Sequence, residues 1–373
     1  MLSNSKLGFG LMRLPGSKEK NIEIEKVKEM VDRYMESGFN YFDTAYAYPG
    51  SEEAIREALV NRYPRDSFTL ADKLPAWEIH SEEDVERIFN TSLERCGVDY
   101  FDFYLLHSIE EAHYDNYKKY GCFDFVRRMK KEGKIRHIGF SFHDSPELLQ
   151  QVLDENPDME FVQLQLNYLD WENDVIQSRK NYEVAFSNHK PVVVMEPIKG
   201  GSLASFSEDI ENIFKEAQPN RSIASWALRF IASKENVMTV LSGMSTLEQM
   251  EDNLSTMKEF EPMNEEEEKL VKQVTEKVLS VETIPCSGCR YCTPGCPMQI
   301  QIPDLFTAYN SNLKYGKSFR YSTYYFNHCK DGHSLASQCI ECGQCESVCP
   351  QHLKIISLLK DVVKEFETDK HHH

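Results

Sequence analysis

Eight short apolar runs recur along the first two-thirds of the chain: 8–12 (GFGLM), 40–43 (NYFD), 68–72 (FTLAD), 101–106 (FDFYLL), 137–142 (HIGFSF), 161–166 (FVQLQL), 192–196 (VVVME) and 237–243 (VMTVLSG). Runs this short and this apolar read as strands buried on both faces. Between them lie longer stretches with helical spacing of apolar positions, such as 22–38, 81–97 and 221–234. Ser81, followed by Asp84 and Glu86, predicts a helix start, and Gly38 and Gly97 stand where helices end. Eight strands alternating with helices over about 250 residues predict an α/β architecture, a parallel (β/α)8 barrel. The competing open, doubly wound sheet would carry a Gly-rich dinucleotide fingerprint after its first strand, and none stands there. Beyond 262 the rhythm changes. A single amphipathic helix, 265–280, reads as a connector, and the remaining chain is a series of short segments punctuated by cysteine. The expected organisation is therefore a barrel over 1–262, a connector over 263–283 and a small, mainly helical domain over 284–370. His371–His373 are read as the remnant of a purification tag.

A chain of 373 residues suits two domains. The 42 basic residues against 60 acidic ones leave a net charge of −18, which argues against a nucleic-acid partner; much of the acidity is solvated surface such as NEEEEK at 264–269. No apolar run reaches the length of a membrane span, and the N-terminus MLSNSKLGFG resembles neither a signal nor a transit peptide, so a cytoplasmic location is expected.

Eight of the eleven cysteines fall in two runs of the form C-x2-C-x2-C-x3-C-P: Cys286, Cys289, Cys292, Cys296 with Pro297, and Cys339, Cys342, Cys345, Cys349 with Pro350. A disulfide scaffold suits small secreted chains, and structural zinc favours two Cys pairs separated by a longer loop. This rhythm resembles the bacterial ferredoxins with two [4Fe–4S] clusters. The resemblance implies that each run's fourth cysteine ligates the other cluster. One set is then Cys286, Cys289, Cys292 and Cys349, the other Cys339, Cys342, Cys345 and Cys296. Cys96, Cys122 and Cys329 are expected to be ordinary buried thiols.

Barrel enzymes place their chemistry at the C-terminal ends of the strands. There stand Asp43, Lys73 and His107, ending strands two, three and four, with Tyr48 in the loop after Asp43. Each alone has a structural reading; an acid, a cation, a titratable ring and a phenol together point to proton chemistry at one rim. The segments FDTAYAYPGSE (42–52), ADKL (71–74), YLLH (104–107), GKIRHIGFS (133–141), VQLQLN (162–167), EPIKGGSL (196–203) and GMSTLEQMEDN (243–253) resemble the aldo/keto reductases, in family order. That resemblance implies hydride transfer between a nicotinamide cofactor and a carbonyl. Tyr48 is then the general acid, Lys73 lowers its pKa, Asp43 pairs with Lys73, and His107 orients the carbonyl.

By the same resemblance Ser141, Gln163, Met195, Pro197, Lys199, Gly200, Gly243, Met244, Gln249 and Asn253 fall at cofactor-binding positions. Gly243, Met244 and Gln249 replace residues that usually meet a 2′-phosphate, so NAD(H) and NADP(H) stay equal candidates, and Met195 replaces the usual stacking tyrosine. Nicotinamides move two electrons as hydride whereas each cluster moves one, a mismatch that a flavin such as FMN would bridge. The expected activity is a nicotinamide-dependent oxidoreductase on a small carbonyl or alcohol, coupled through its clusters to a ferredoxin or flavodoxin carrier. Two alternatives stand beside it: an electron-transfer protein whose barrel binds flavin or docks a partner, and a plain carbonyl reductase with structural clusters. His143, Trp77 and Trp171 lie on rim loops, where packing and substrate contact are both open. The aromatics of FRYSTYYFNH (319–328) are expected to pack the two domains together.

Overall fold

The computed structural model describes residues 5–17, 21–258 and 260–368, so His371–His373 lie outside the described residues. The eight strands are β1 Leu7–Gly10, β2 Tyr41–Asp43, β3 Thr69–Pro75, β4 Phe101–Ile109, β5 Ile135–Phe142, β6 Phe161–Gln165, β7 Val192–Met195 and β8 Val237–Ser242. Each pairs in parallel with its sequence neighbours, and β1 returns to β8, closing the barrel. The lower end of the lumen is filled by Tyr41, Phe103, Phe161, Val193 and Met238. A packed floor of this kind leaves chemistry to the opposite, C-terminal rim.

Local signals set the element boundaries. The helix Glu82–Cys96 opens on a reciprocal cap: Ser81 Oγ accepts the Asp84 N–H at 3.3 Å, and Asp84 Oδ2 accepts the Ser81 N–H at 3.0 Å. It closes on Gly97, whose φ of 70° is the left-handed conformation a side chain would resist. The strands β3 and β4 run longer than the apolar pattern suggested, to Pro75 and Ile109. Lys73 and His107 therefore sit within strands, held by backbone pairing with their neighbours.

The described chain divides into two compact units. One runs to Ala204 and resumes over Arg221–Val271; the other comprises Ser205–Asn220 and the chain from Lys272 onward. In the first, Arg229 and Glu267 form a buried two-pronged ion pair at 2.6 and 2.8 Å, which anchors the first turn of the helix Glu265–Ser280. The second unit is helical, with Ile302–Tyr315, Phe319–Asn327 and Ile355–Phe366 surrounding Ile300, Leu305, Phe306 and Val362. Tyr325, from the aromatic insert, is buried in this core and stacks on Phe366 at 4.6 Å, while Phe319 is exposed. The insert thus serves its own unit's core.

Candidate active site and cluster sites

At the C-terminal rim of the barrel a cleft encloses about 2030 Å3 of empty space, its open mouth included. Asp43, Tyr48 and His107 line it. Lys73 lies just behind them, fully buried, its Nζ donating to Asp43 Oδ1 at 2.5 Å, to the Thr44 carbonyl at 2.6 Å and to Tyr48 Oη at 3.4 Å. Burial works against the Lys73 charge, but Asp43 and Tyr48 outweigh it and hold the ammonium above its ordinary pKa. Burial also pushes the Tyr48 phenol upward; Lys73 pulls it back without cancelling the rise. Lys73 thus acts on Tyr48 in the lowering direction, and desolvation outweighs it. Tyr48 consequently keeps its proton at neutral pH.

His107 is held neutral, its pKa driven well down first by burial and then by the Lys73 charge. Its Nδ1 is buried without a partner. A buried lone pair costs less than a buried unpaired N–H, so the proton belongs on Nε2. The ring meets Tyr48 edge-on at 5.8 Å and Trp77 at 5.2 Å.

Of the residues expected to bind cofactor, Ser141, Gln163, Met195, Pro197, Gly200, Gly243, Met244, Gln249 and Asn253 line the cleft. Lys199 does not; its ammonium is tied to the buried Asp170 at 2.6 Å. Gln163 Nε2 reaches Asp43 Oδ2 at 3.5 Å, while its Oε1 is buried in the wall without a partner. An orphaned acceptor there fits an amide donor such as a nicotinamide carboxamide. Sequence reasoning missed Arg13, which lines the cleft beside Gly243 and pairs with Glu196 at 2.8 Å. Its signal was a lone cation one turn beyond β1, opposite in the closed barrel to the segment after β8. Trp77 and His143 line the cleft, whereas Trp171 packs on Tyr182 and Phe230.

Next to Lys73, Asp72 points to the other face of β3, into the surrounding helices. There Asp72, Glu52 and Cys96 are all buried with their ligand-type atoms within 4.8 Å of one another. Asp72 Oδ1 accepts the Lys73 N–H at 2.7 Å, Cys96 Sγ lies 3.6 Å from Oδ2, and Arg95 pairs with Glu52 at 3.0 Å. Burial, and then the Glu52 charge, push the Asp72 carboxyl far up. The unfolded chain releases this proton near pH 4 while the folded chain keeps it, so folding loses stability as pH rises above that point. Asp72→Asn should therefore raise the Tm at pH 8 and leave it unchanged at pH 4, as read by calorimetry at both pH values.

In the second unit the eight run cysteines are free thiols arranged around two cavities, each of about 330 Å3 of empty space. Cys286, Cys289, Cys292 and Cys349 line one; Cys339, Cys342, Cys345 and Cys296 line the other. The backbone bends alike in both halves: Gly288 and Glu341, Arg290 and Gly343, and Gln299 and His352 all have positive φ between 51° and 74°. Four soft donors around a small, largely apolar cavity fit an iron–sulfur cluster and suit neither disulfides nor hard cations. Cys96 and Cys122 are buried; Cys329 is only half-buried.

The sequence profile of the aldo/keto reductase family matches residues 6–276, most of the chain. The chain belongs to the aldo/keto reductase family. Later in the sequence, the profile of a 4Fe-4S dicluster domain matches residues 285–353. This aldo/keto reductase is 26% identical to an uncharacterized oxidoreductase of Bacillus subtilis, over 68% of this chain and 87% of the relative. It is also 26% identical to L-galactose dehydrogenase of Arabidopsis thaliana, over 72% and 89%. An aldo-keto reductase of Klebsiella pneumoniae, solved in complex with NADPH, has the same fold, with a TM-score of 0.59 at 20% identity over 72% of this chain and 90% of that one. Among the described residues no helix is long and apolar enough to cross a membrane.

Proposed function

We propose that the barrel reduces a small carbonyl, or oxidises the corresponding alcohol, with a nicotinamide cofactor, and that the dicluster domain links this reaction to a one-electron carrier protein. The observation that carries the reading is the buried chain from Asp43 through Lys73 to the Tyr48 hydroxyl, open at its far end to the cleft. When bound, NAD(P)H supplies a hydride and the clusters exchange single electrons. Tyr48 holds the proton for the carbonyl oxygen, and the Lys73 ammonium stabilises the phenolate left behind. His107 is a neutral donor to the same oxygen and adds a fixed hydrogen bond to the charge that builds there. Ser141 and Gln163 would grip the nicotinamide amide. The Cys286, Cys289, Cys292, Cys349 set would hold one cluster and the Cys339, Cys342, Cys345, Cys296 set the other.

The test is an anaerobic absorption and EPR titration of the purified chain, with bound cofactor extracted and identified. About eight irons per chain, and clusters that NAD(P)H reduces through an extracted flavin such as FMN, support one coupled redox enzyme. Iron present but indifferent to NAD(P)H, with no flavin extracted, sinks the coupling and leaves a carbonyl reductase with separately serving clusters.

Arg13 is the single Lys or Arg among the described residues lining the cleft. It stands over Gly243, where the family resemblance leaves the 2′-phosphate without its usual cation. Arg13→Ala should raise KM for NADPH about tenfold, as expected for a lost charge-assisted phosphate contact, and leave KM for NADH within a factor of about two. Equal effects on both cofactors in steady-state assays would remove Arg13 from this role.

A further inference from the structure

The two cluster cavities are copies of one design. Cys339 follows Cys286 by 53 residues, and the same shift carries Cys289 to Cys342, Cys292 to Cys345, Pro303 to Ile356 and Phe306 to Leu359 in the walls of the two cavities. The chemistry of the walls departs from this symmetry most at one place. Arg290 lines the first cavity, and its counterpart in the second is Gly343. The counterpart of its anchor differs as well. Arg290 is held by a two-pronged pair with Asp304, at 2.8 Å for both contacts, and the position 53 residues beyond Asp304 is Ser357. Asp304 is itself buried, is within 3.4 Å of Tyr324 Oη, and does not line the cavity. Arg290 therefore belongs to the cavity wall while its counterion does not, and its side chain, 55% exposed, reaches from that wall to Asp304. Two further pairs differ in the same sense: Ser287 against Ile340, and Gln351 against Met298. On the second side, Lys360 is paired with Glu341 at 2.8 Å and is not in the cavity wall.

We propose that Arg290, pinned by Asp304, makes the two cluster sites unequal, so that the site of Cys286, Cys289, Cys292 and Cys349 is the more readily reduced and is where an electron entering the domain comes to rest. This rests on the reading that both cavities hold clusters. Reduction adds one negative charge to a site, and a cation fixed in its wall favours that charge, while a wall of apolar side chains does not. The internal transfer is a one-electron exchange. The cluster at the Cys339 site loses one electron and that at the Cys286 site gains it, with no proton moved and no bond made or broken; the electron enters from a low-potential one-electron carrier. Arg290 is thus a positioning residue for charge and is not a ligand.

The experiment is an EPR-monitored redox titration of the full anaerobic holoprotein with dithionite and mediators, alongside an iron count. The unaltered chain should show two one-electron couples at distinct potentials. Arg290→Gly, which installs the residue of the other half, should lower the higher couple alone. The reduced-to-oxidised ratio of that cluster at a fixed potential should fall about tenfold, equivalent to about 59 mV for a one-electron couple. Arg290→Lys should restore most of the shift. Gly343→Arg should raise the lower couple, and the position has room, since a Cβ there meets nothing within 4 Å and Arg290 itself adopts φ 61°. Couples that stay put in both Arg290→Gly and Gly343→Arg, or that move together, overturn the proposal with the clusters intact, as does an Arg290→Lys chain that shifts as far as Arg290→Gly. Iron well below eight per unaltered chain overturns the cluster reading, and the proposal with it.

Discussion

Tyr48→Phe should cut kcat for ketone reduction by about a thousandfold, within the range general-acid catalysis supplies, while NAD(P)H binds within about twofold of the unaltered chain. The phenol is the one proton source that the geometry offers at the end of the Asp43–Lys73 chain, and phenylalanine preserves its ring contact with His107. The pH dependence has its origin in the same burial. Because the phenol lies above its ordinary value, it stays protonated well past neutrality. Reduction by the unaltered enzyme should therefore be flat between about pH 7 and 9, where a free phenol would still be protonated too. Alcohol oxidation, which needs the phenolate as base, should climb across the same interval. Single-turnover kinetics with fluorescence-monitored cofactor binding separate the two quantities. Unchanged turnover in Tyr48→Phe, or a reduction rate that collapses below pH 9, would remove the phenol from its assigned role.

The second large effect concerns iron. Cys349 lies late in the second run, yet it lines the cavity of the first-run thiols, and Cys296 lies in the first run but lines the cavity of the second. Cys349→Ala should therefore leave the Cys339, Cys342, Cys345 and Cys296 cluster spectroscopically intact and disable the other. Cys296→Ala should do the reverse. Iron should fall from about eight to about four per chain in either variant. Combining each variant with Arg290→Gly assigns the surviving signal, since only the cluster beside Arg290 responds. Were each cysteine to serve its own run, the assignments would exchange, and the crossed ligand sets would be wrong.

Much of the barrel was legible because parallel strands buried on both faces announce themselves as uninterrupted apolar runs. Val192–Val194 are buried throughout, and in Phe161–Leu164 the one polar residue, Gln163, is buried with its apolar neighbours. The rim residues Asp43 and His107 were legible for a different reason: they are polar groups standing where an apolar run ends, and Tyr48 follows in the loop after Asp43. What the sequence could not carry was the sign of a competition. Nothing in the string ADKL states that burial outweighs Lys73 in setting the Tyr48 proton, or that Asp72, one residue away, faces a second buried carboxyl. Arg13 was missed because its importance depends on barrel closure, which brings the loop after β1 against Gly243, far away in sequence. Lys199 is outside the cleft lining for a reason spacing does not show, since its ammonium pairs with a buried aspartate.

The crossed placement of Cys296 and Cys349 in the two cavities also bears on how such a tail can be lost or remodelled. Two self-contained binding loops could be shed one at a time, by a stop codon or a protease, with a working half left behind. Here a chain ending anywhere between the runs would keep three thiols at one site and a single thiol at the other. A nick after Cys345 would strip only the last thiol, from the site beside Arg290. Degradation proceeding from the C-terminus should thus dismantle the electron sink before the relay that feeds it, and the first sign of damage should be loss of the higher-potential couple.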